Sequence, residues 1–350
     1  MSAHGWLVYR GEDVARNRYY IDWLTREAAA RGVGLHLVLR EDVLHGVRAG
    51  RPVVVLSGGA SMTSALPDFA IMRAIDPVLS EQLERCGVRV WNSSAVARIC
   101  NDKALTHEWL AAAGIPMADT WCLTAEQVKN LQNAPFGPVD YPVDYPVDYP
   151  VDYPVDCPVD CPVDCPVDDP LDHLLDHSAD HSADHSADHP LDLPLDYPLV
   201  VKTVRGRSGR QVYRVHNASE WQAIALTLPG ADWVAQRPTG QTGKDVRVFV
   251  IGRQIVGAVL RVSTTDFRAN YSLGGSAEAF ELTALQRGLV ERVIAALPPL
   301  GMVGVDWLLD GKGNFLLNEV EDVVGSRTLA LTTDVNFAGL YIGHILSVLG

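Results

Sequence analysis

Three carboxylates near the C-terminal end of the chain could together hold a hard metal ion. In GVDWLLDGKGNFLLNEVE, Asp306 lies on one apolar segment, Glu319 and Glu321 lie on the next, and DGKGN turns the chain between them. The i, i+2 spacing puts Glu319 and Glu321 on one face of a strand. A hairpin over that turn sets Asp306 opposite Glu319 on the same face. Flanked by Trp307, Leu308, Leu316 and Leu317, three gathered carboxylates would repel one another severely unless a cation sits among them. Oxygen ligands on a hairpin suit Mg²⁺, which usually keeps waters and nucleotide phosphates as its other ligands.

Phosphate chemistry is suggested by YPLVVKTVRGRSGRQVYRV. Lys202 lies on a buried-looking strand, and RGRSGR joins it to a second strand. Gly206 and Gly209 let the backbone bend tightly, while Arg205, Arg207 and Arg210 supply positive charge. Such a loop can cover phosphates or can simply be a basic hairpin turn; it is not a GxxxxGK[ST] loop. Lys103 falls in the first turn of a helix capped by Asn101 or Asp102 and stopped near Gly114. A helix N-terminus attracts anions there, although a lone lysine in that position is more often a solvated side chain.

The elements that must position these residues are regular. GWLVY (5–9), LHLVL (35–39), PVVVL (52–56), PDFAIMR (67–73) and VRVW (88–91) read as strands. Helices over 14–31 and 78–85 alternate with them, which predicts a small parallel α/β unit over residues 1–95. DVRVFVIGRQIVGAVLRV reads as a hairpin turning at Gly252 and Arg253. LTALQRGLVERVIAALPPLG opens with a capping box, Thr283 and Gln286, and its apolar positions 285, 289, 293 and 297 predict a helix packed on a sheet.

Between these parts lies a tetrapeptide repeat, PVDYPVDYPVDY and its variants, over residues 138–197. Prolines at every fourth residue from Pro138 to Pro170 rule out helix there and the spaced aspartates repel, so a disordered, extended coil is expected. The later HSAD units space His at i, i+4, which could ligate a transition metal on a helix, but the tract reads as an expanded low-complexity insert. Sixteen of the 43 acidic residues lie in this tract, which has no Lys or Arg; the rest carries 29 basic and 27 acidic residues. The net charge of −14 therefore describes the tract. Outside it, Cys86, Cys100 and Cys122 form no CxxC pair, which suggests reduced thiols and a cytoplasmic location. No signal peptide or apolar membrane span is visible.

In this order, NDK, YPLVVKTVRGRSG, DVRVFVIG, DFRANYSLGG and GVDWLL…NEVE resemble the ATP-grasp superfamily, most closely the RimK-like carboxylate–amine ligases. The resemblance covers nearly the whole chain outside 138–197. It implies an α/β (α+β) ATP-grasp fold, with a pre-ATP-grasp parallel α/β domain over 1–100. A lid or central subdomain follows from 101–137 and 198–238, interrupted by the repeat, and a C-terminal subdomain spans 239–350. By matching position, Lys103 and Lys202 would touch ATP phosphates beneath a loop with Arg205, Gly206, Ser208 and Gly209. Gln236 and the backbone near Arg237 would meet adenine. Asp306, Glu319 and Glu321 would bind Mg²⁺, with Mn²⁺ as the alternative and two ions in all. Glu321 stands where the family usually has Asn, and DVVGSR replaces the usual S-P-G, which bears on the substrate.

Arg247, Arg268 and Asn270 would act near the transferred phosphate or the acceptor. The implied activity is an ADP-forming, ATP-dependent ligase that makes an amide through an acyl phosphate. Its substrates would be an amino acid or a peptide or protein carboxylate, with an amine acceptor. Neither nucleic acid nor membrane is an expected partner, and self-association into a homo-oligomer is left open. Arg18, Arg73 and Arg327 could meet an acidic substrate or serve as structural arginines. The competing function is a non-catalytic nucleotide-binding protein that uses the repeat as an interaction tract.

Overall fold

The computed structural model describes residues 3–58, 61–63, 66–131, 193, 196–206, 211–264, 266–269 and 275–350. The expected repeat at 138–197 thus lies outside the described residues except for 193, 196 and 197, as do Arg207, Ser208, Gly209, Arg210 and Asn270.

The N-terminal unit runs β1 (His4–Tyr9), α1 (Gly11–Ala29), β2 (Gly34–Leu39), β3 (Val43–Arg48), β4 (Arg51–Gly58), β5 (Ser61–Thr63), β6 (Phe69–Met72), α2 (Pro77–Arg85), β7 (Arg89–Trp91) and α3 (Ser94–Cys100). Four strands form the expected parallel sheet, in the order β2-β1-β6-β7. The segment 52–56 is a strand but does not join it. It lies in β4, which pairs antiparallel with β3 and β5 in a separate sheet. The reason is the two-residue link Ala49-Gly50, with φ of 51° and 74°. Positive φ at both positions makes the turn twist with its strands, so β3 and β4 close as a hairpin.

Helix α4 (Lys103–Ala112) begins at Asp102, whose side chain accepts from Leu105 N. Next come β8 (Thr120–Leu123), α5 (Ala125–Lys129), β9 (Leu199–Thr203), β10 (Val212–Val215), α6 (Ala218–Leu226) and β11 (Trp233–Gln236). These strands form an antiparallel sheet, β10-β9-β11-β8, over a core containing Leu199, Val201, Trp221 and Trp233. Leu131 and Leu193 are both buried in that core, so the two flanks of the repeat meet on the same small domain.

The last unit comprises β12 (Lys244–Ile251), β13 (Gln254–Val262), β14 (Ser276–Ala279), α7 (Ala284–Ala296), β15 (Met302–Leu309), β16 (Phe315–Glu321), α8 (Arg327–Thr332) and α9 (Phe337–Leu349). Its antiparallel sheet has the order β14-β13-β12-β15-β16. Thr283 and Gln286 make the expected capping box on α7. The buried stripe is rotated from the expected one: Val290, Val293 and Ile294 face inward, while Leu285 is 67% exposed. Gln286 also points inward, donating to Gly313 O at 3.0 Å, and this turns its preceding neighbour outward. Helices α1 and α9 share one apolar core with β12 and β15, which ties the first unit to the last. Asn92 adds to the joint, donating to Met302 O and Asp322 O (2.8 and 2.9 Å).

Candidate active site at the carboxylate hairpin

A cleft of about 640 Å³ runs between the β8–β11 sheet and one face of the five-stranded sheet. On the other face of that sheet sits the apolar core, with Val246, Val248, Val305 and Trp307 fully buried. Strand alternation therefore sends residues 245, 247 and 306 to the cleft.

The register gathers the charges. Arg247 pairs with Asp306 across one strand boundary, and Asp306 with Glu319 across the next. Asp245 lies opposite Arg261. Arg247 grips Asp306 through both oxygens (2.7 and 2.6 Å), and its Nη1 reaches Glu321 at 2.9 Å. Arg261 Nη2 bridges Asp245 and Asp306 at 2.6 and 2.7 Å. The expected carboxylate cluster is present, with oxygens of Asp306, Glu319 and Glu321 all within 4.8 Å of one another. The repulsion expected unless a cation sits among them is met in part by the protein itself, because two guanidiniums lie among the carboxylates. Arg261 and Asp245 were missed because each looks like an ordinary strand residue until the register joins them.

Burial opposes ionisation of Asp306, but Arg247 and Arg261 outweigh it and hold the carboxyl down at about 2. Burial pushes Asp245 up to about 6 despite Arg261. Burial pushes Glu321 upward against the pull of Arg247, and Asp306 and Glu319 add repulsion. Glu321 thus retains an unmet need for positive charge. Glu319, 30% exposed, makes its one ion pair among the described residues with Lys103, at 3.6 Å. An all-oxygen donor set whose two glutamates face the cleft fits a hard divalent cation. Asp306 could join it only by sharing oxygens now held by the arginines.

Two lysines form the other wall. Lys202, on β9, is 7% exposed and donates to Asn318 Oδ1 at 2.7 Å. Burial, with the Lys103 ammonium adding to it and Glu319 resisting, pulls Lys202 down to about 8. Lys103 Nζ donates to Gly206 O (2.6 Å), and its backbone N–H donates to Val204 O (3.1 Å), so α4 starts against the end of β9. Gly206 is required by close approach, because a Cβ there would collide with Thr203 Oγ1. Arg205 is not brought into the cleft; it is 84% exposed and lies 3.6 Å from Asp102.

Gln236 is buried at the end of β11, and its amide orientation follows from its neighbours. Thr120 Oγ1 donates to Ala118 O at 2.7 Å, so it accepts from Gln236 Nε2 at 2.9 Å. His107 Nδ1 donates to Lys103 O at 2.6 Å, leaving Nε2 to accept from the same amide at 3.2 Å. Burial, then Lys202, pulls His107 down to about 4, which keeps it neutral. Both amide hydrogens are used, and Gln236 Oε1 remains as an acceptor on a residue that lines the cleft. His107 had no sequence signal; only folding brings it under Gln236. Arg237 and Arg268 also line the cleft. Arg237 Nη2 lies 3.9 Å from Asp196, and Arg268 pairs with Asp266 at 2.6 Å.

Known proteins share this architecture. The RimK domain protein ATP-grasp from Sphaerobacter thermophilus DSM 20745 superposes with a TM-score of 0.61 at 20% identity, covering 98% of this chain and 99% of that one. D-alanyl-alanine synthetase A from Vibrio cholerae O1 biovar eltor str. N16961 gives a TM-score of 0.61 at 12% identity, with 99% and 98% covered. The fold is therefore ATP-grasp. Within it, residues 177–345 match the family model of the RimK-like ATP-grasp domain. A probable alpha-L-glutamate ligase of Xanthomonas oryzae pv. oryzae (strain MAFF 311018) is 33% identical over 150 residues, 42% of this chain. The matched stretch spans half, 50%, of that relative's length. Among the described residues, no helix is long and apolar enough to cross a membrane.

Proposed function

We propose that this protein is an ATP-dependent carboxylate–amine ligase. The observation that carries the reading is one cleft in which Lys103 and Lys202 face the Asp306–Glu319–Glu321 cluster. Lys103 and Lys202 bind the ATP phosphates, and the β8–β11 sheet, with the loop at 205–210, serves as the lid. Gln236 Oε1 accepts from the amino group of adenine, with the backbone near Arg237 beside it; guanine offers an acceptor there instead.

Mg²⁺ or Mn²⁺, two ions in the full complex, would be held by Glu319, Glu321 and a shared Asp306, and would neutralise charge on the phosphates. Arg247 stays charged throughout, because burial is outweighed by Asp306 and Glu321 and its pKa lies well above the ordinary arginine value. It orients the ladder and offers positive charge beside the transferred phosphoryl group, and Arg268 and Asn270 act at the acceptor side. The substrate carboxylate attacks the γ-phosphorus, giving an acyl phosphate and ADP; the amine then attacks that carbonyl and expels phosphate. Catalysis of this kind rests on positioning and preorganised charge, and the closed lid keeps water from the acyl phosphate. The carboxylate and amine belong to amino acids or peptides.

The test is phosphate release from Mg-ATP across a panel of amino acids and acidic peptides. At least one pair is expected to release phosphate well above background and yield an amide. If ATP binds but no mixture turns over, the protein is a nucleotide-binding protein without ligase activity.

A further inference from the structure

The far end of the cleft, where the N-terminal unit meets the segment after β16, holds a cation of a different kind. Arg73 follows β6 and is 8% exposed. Its Nη2 donates to Val324 O at 2.9 Å, and its guanidinium lies over the Tyr20 ring, 5.2 Å from the centroid. Among the described residues, no carboxylate lies within ion-pair distance of it. Arg73 Nε and Tyr9 Oη are each buried without a well-formed hydrogen bond, and the two side chains lie next to one another. Both residues line the cleft.

The surrounding charges do not fill this need. Asp13 lines the same end but is held by Arg16 at 2.6 Å. Asp322 lies beside Cys100 and Tyr341, where burial and its own charge push the thiol and the phenol upward. Arg327, at the start of α8, adds a second cation to this wall. A desolvated guanidinium without an anion is costly to fold, and a bidentate carboxylate is its best geometric match. Val324 is three residues beyond Glu321, so the two sites lie no more than about 11 Å apart along the backbone. An amino-acid or dipeptide-sized molecule spans that distance.

We propose that Arg73 and Tyr9 form a carboxylate subsite that holds a carboxylate other than the one being activated. The site sorts substrates by that second carboxylate, carried either by the acid that is activated or by the amine acceptor. It rests on the ligase reading, because the reacting ends are placed at the arginine–carboxylate ladder.

The test compares amino acids and short acidic peptides in matched pairs, each free acid against its amide, for wild type, Arg73→Met, Arg73→Lys and Tyr9→Phe. Wild type is expected to prefer the free acid by about 30-fold in kcat/KM, the range of a charged hydrogen-bonded pair. Arg73→Met should lose that preference mainly through KM for one component, with KM for ATP unchanged. Arg73→Lys should keep part of it, and Tyr9→Phe should weaken it a few-fold. The component whose KM moves identifies whether the donor or the acceptor carries the carboxylate.

Equal use of acid and amide by wild type, or an undiminished preference in Arg73→Met, overturns the subsite. Tyr9→Phe and Arg73→Lys keep the test decisive if Arg73→Met fails to fold. If no pair turns over at all, the ligase reading fails instead. Calorimetric titration of glutarate into wild type and Arg73→Lys with ATP present then decides the subsite alone: tight binding weakened by the variant supports it, and equal or absent binding removes it.

Discussion

The arginines and the lysines of the cleft differ in what they are bound to. Arg247 and Arg261 are locked between Asp245, Asp306 and Glu321 by hydrogen bonds of 2.6–2.9 Å. Lys202 has a neutral amide as its close partner, and Lys103 a carbonyl with Glu319 farther away. The first set is a largely finished electrostatic framework in which both guanidiniums are fully engaged by carboxylates, and only Glu321 keeps a need for further positive charge. The second set is unfinished, and a phosphate would complete it. Guanidiniums keep their charge through changes in pH, whereas a buried ammonium gives up its proton readily. One wall of the cleft is thus rigid scaffolding and the other is poised for a ligand.

The contrast is most exposed to Asp306→Asn. It leaves two buried guanidiniums short of an anion and should cost about 3 kcal/mol, read from urea unfolding, as well as turnover. Glu319→Gln, on a partly open side chain, should abolish turnover with stability changed by less than about 0.5 kcal/mol. Equal stability of the two variants would show that the arginines do not depend on Asp306.

Lys202→Met should weaken ATP binding by about 100-fold, yet raise the stability of the ligand-free protein by about 1 kcal/mol, because the buried ammonium is removed. The sign follows from its folded pKa of about 8, below the ordinary lysine value. Between about 8 and 10.5 the unfolded chain holds the proton that the folded chain has lost, so wild-type stability rises with pH across that window. ATP affinity should fall over the same window as the ammonium deprotonates. Titrations from pH 7 to 10 check both trends; ATP affinity that is flat through pH 9 would remove Lys202 from the phosphate site.

A smaller effect is expected at His107→Phe. Losing the acceptor that fixes Gln236 should reduce the preference for ATP over GTP by about tenfold, with metal dependence unchanged. Unaltered nucleotide selectivity would show that Thr120 alone orients the amide. The smallest effect belongs to the repeat. Since Leu131 and Leu193 are both buried in the β8–β11 core, Gly137 joined directly to Leu193 should leave folding and turnover intact. Loop closure depends only logarithmically on length, so the change should stay within about 2 kcal/mol, as thermal unfolding would reveal. A join at Tyr197 would discard Leu193 and lose stability.

Much of the site was legible because its residues sit in local patterns. The i, i+2 glutamates, the turn before them and the lysine on an apolar strand can each be read within about twenty residues. Arg261 and Asp245 could not be read this way, since their partnership depends on the β12–β13 register and on β15 lying across β12. The hairpin of β3 and β4 was hidden because Ala49-Gly50 lacks the usual asparagine or aspartate signal at a positive φ. The phase of α7 was misread because Leu285 looked apolar while Gln286 had an inward partner on a distant turn.

By itself, then, the sequence determined the alternation of strands and helices, the carboxylate hairpin, the placing of Lys103 at a helix start and Lys202 on an apolar strand, and the separateness of the acidic tract. These follow from side-chain period and local backbone preference, which act over a few residues. Only the tertiary structure decided which charges neutralise one another, which way the Gln236 amide faces, and that Arg73 is buried with no carboxylate within ion-pair distance among the described residues. Those depend on desolvation and on distances of a few ångströms between segments far apart in the chain, and Coulomb energies in a buried cleft are set at that range.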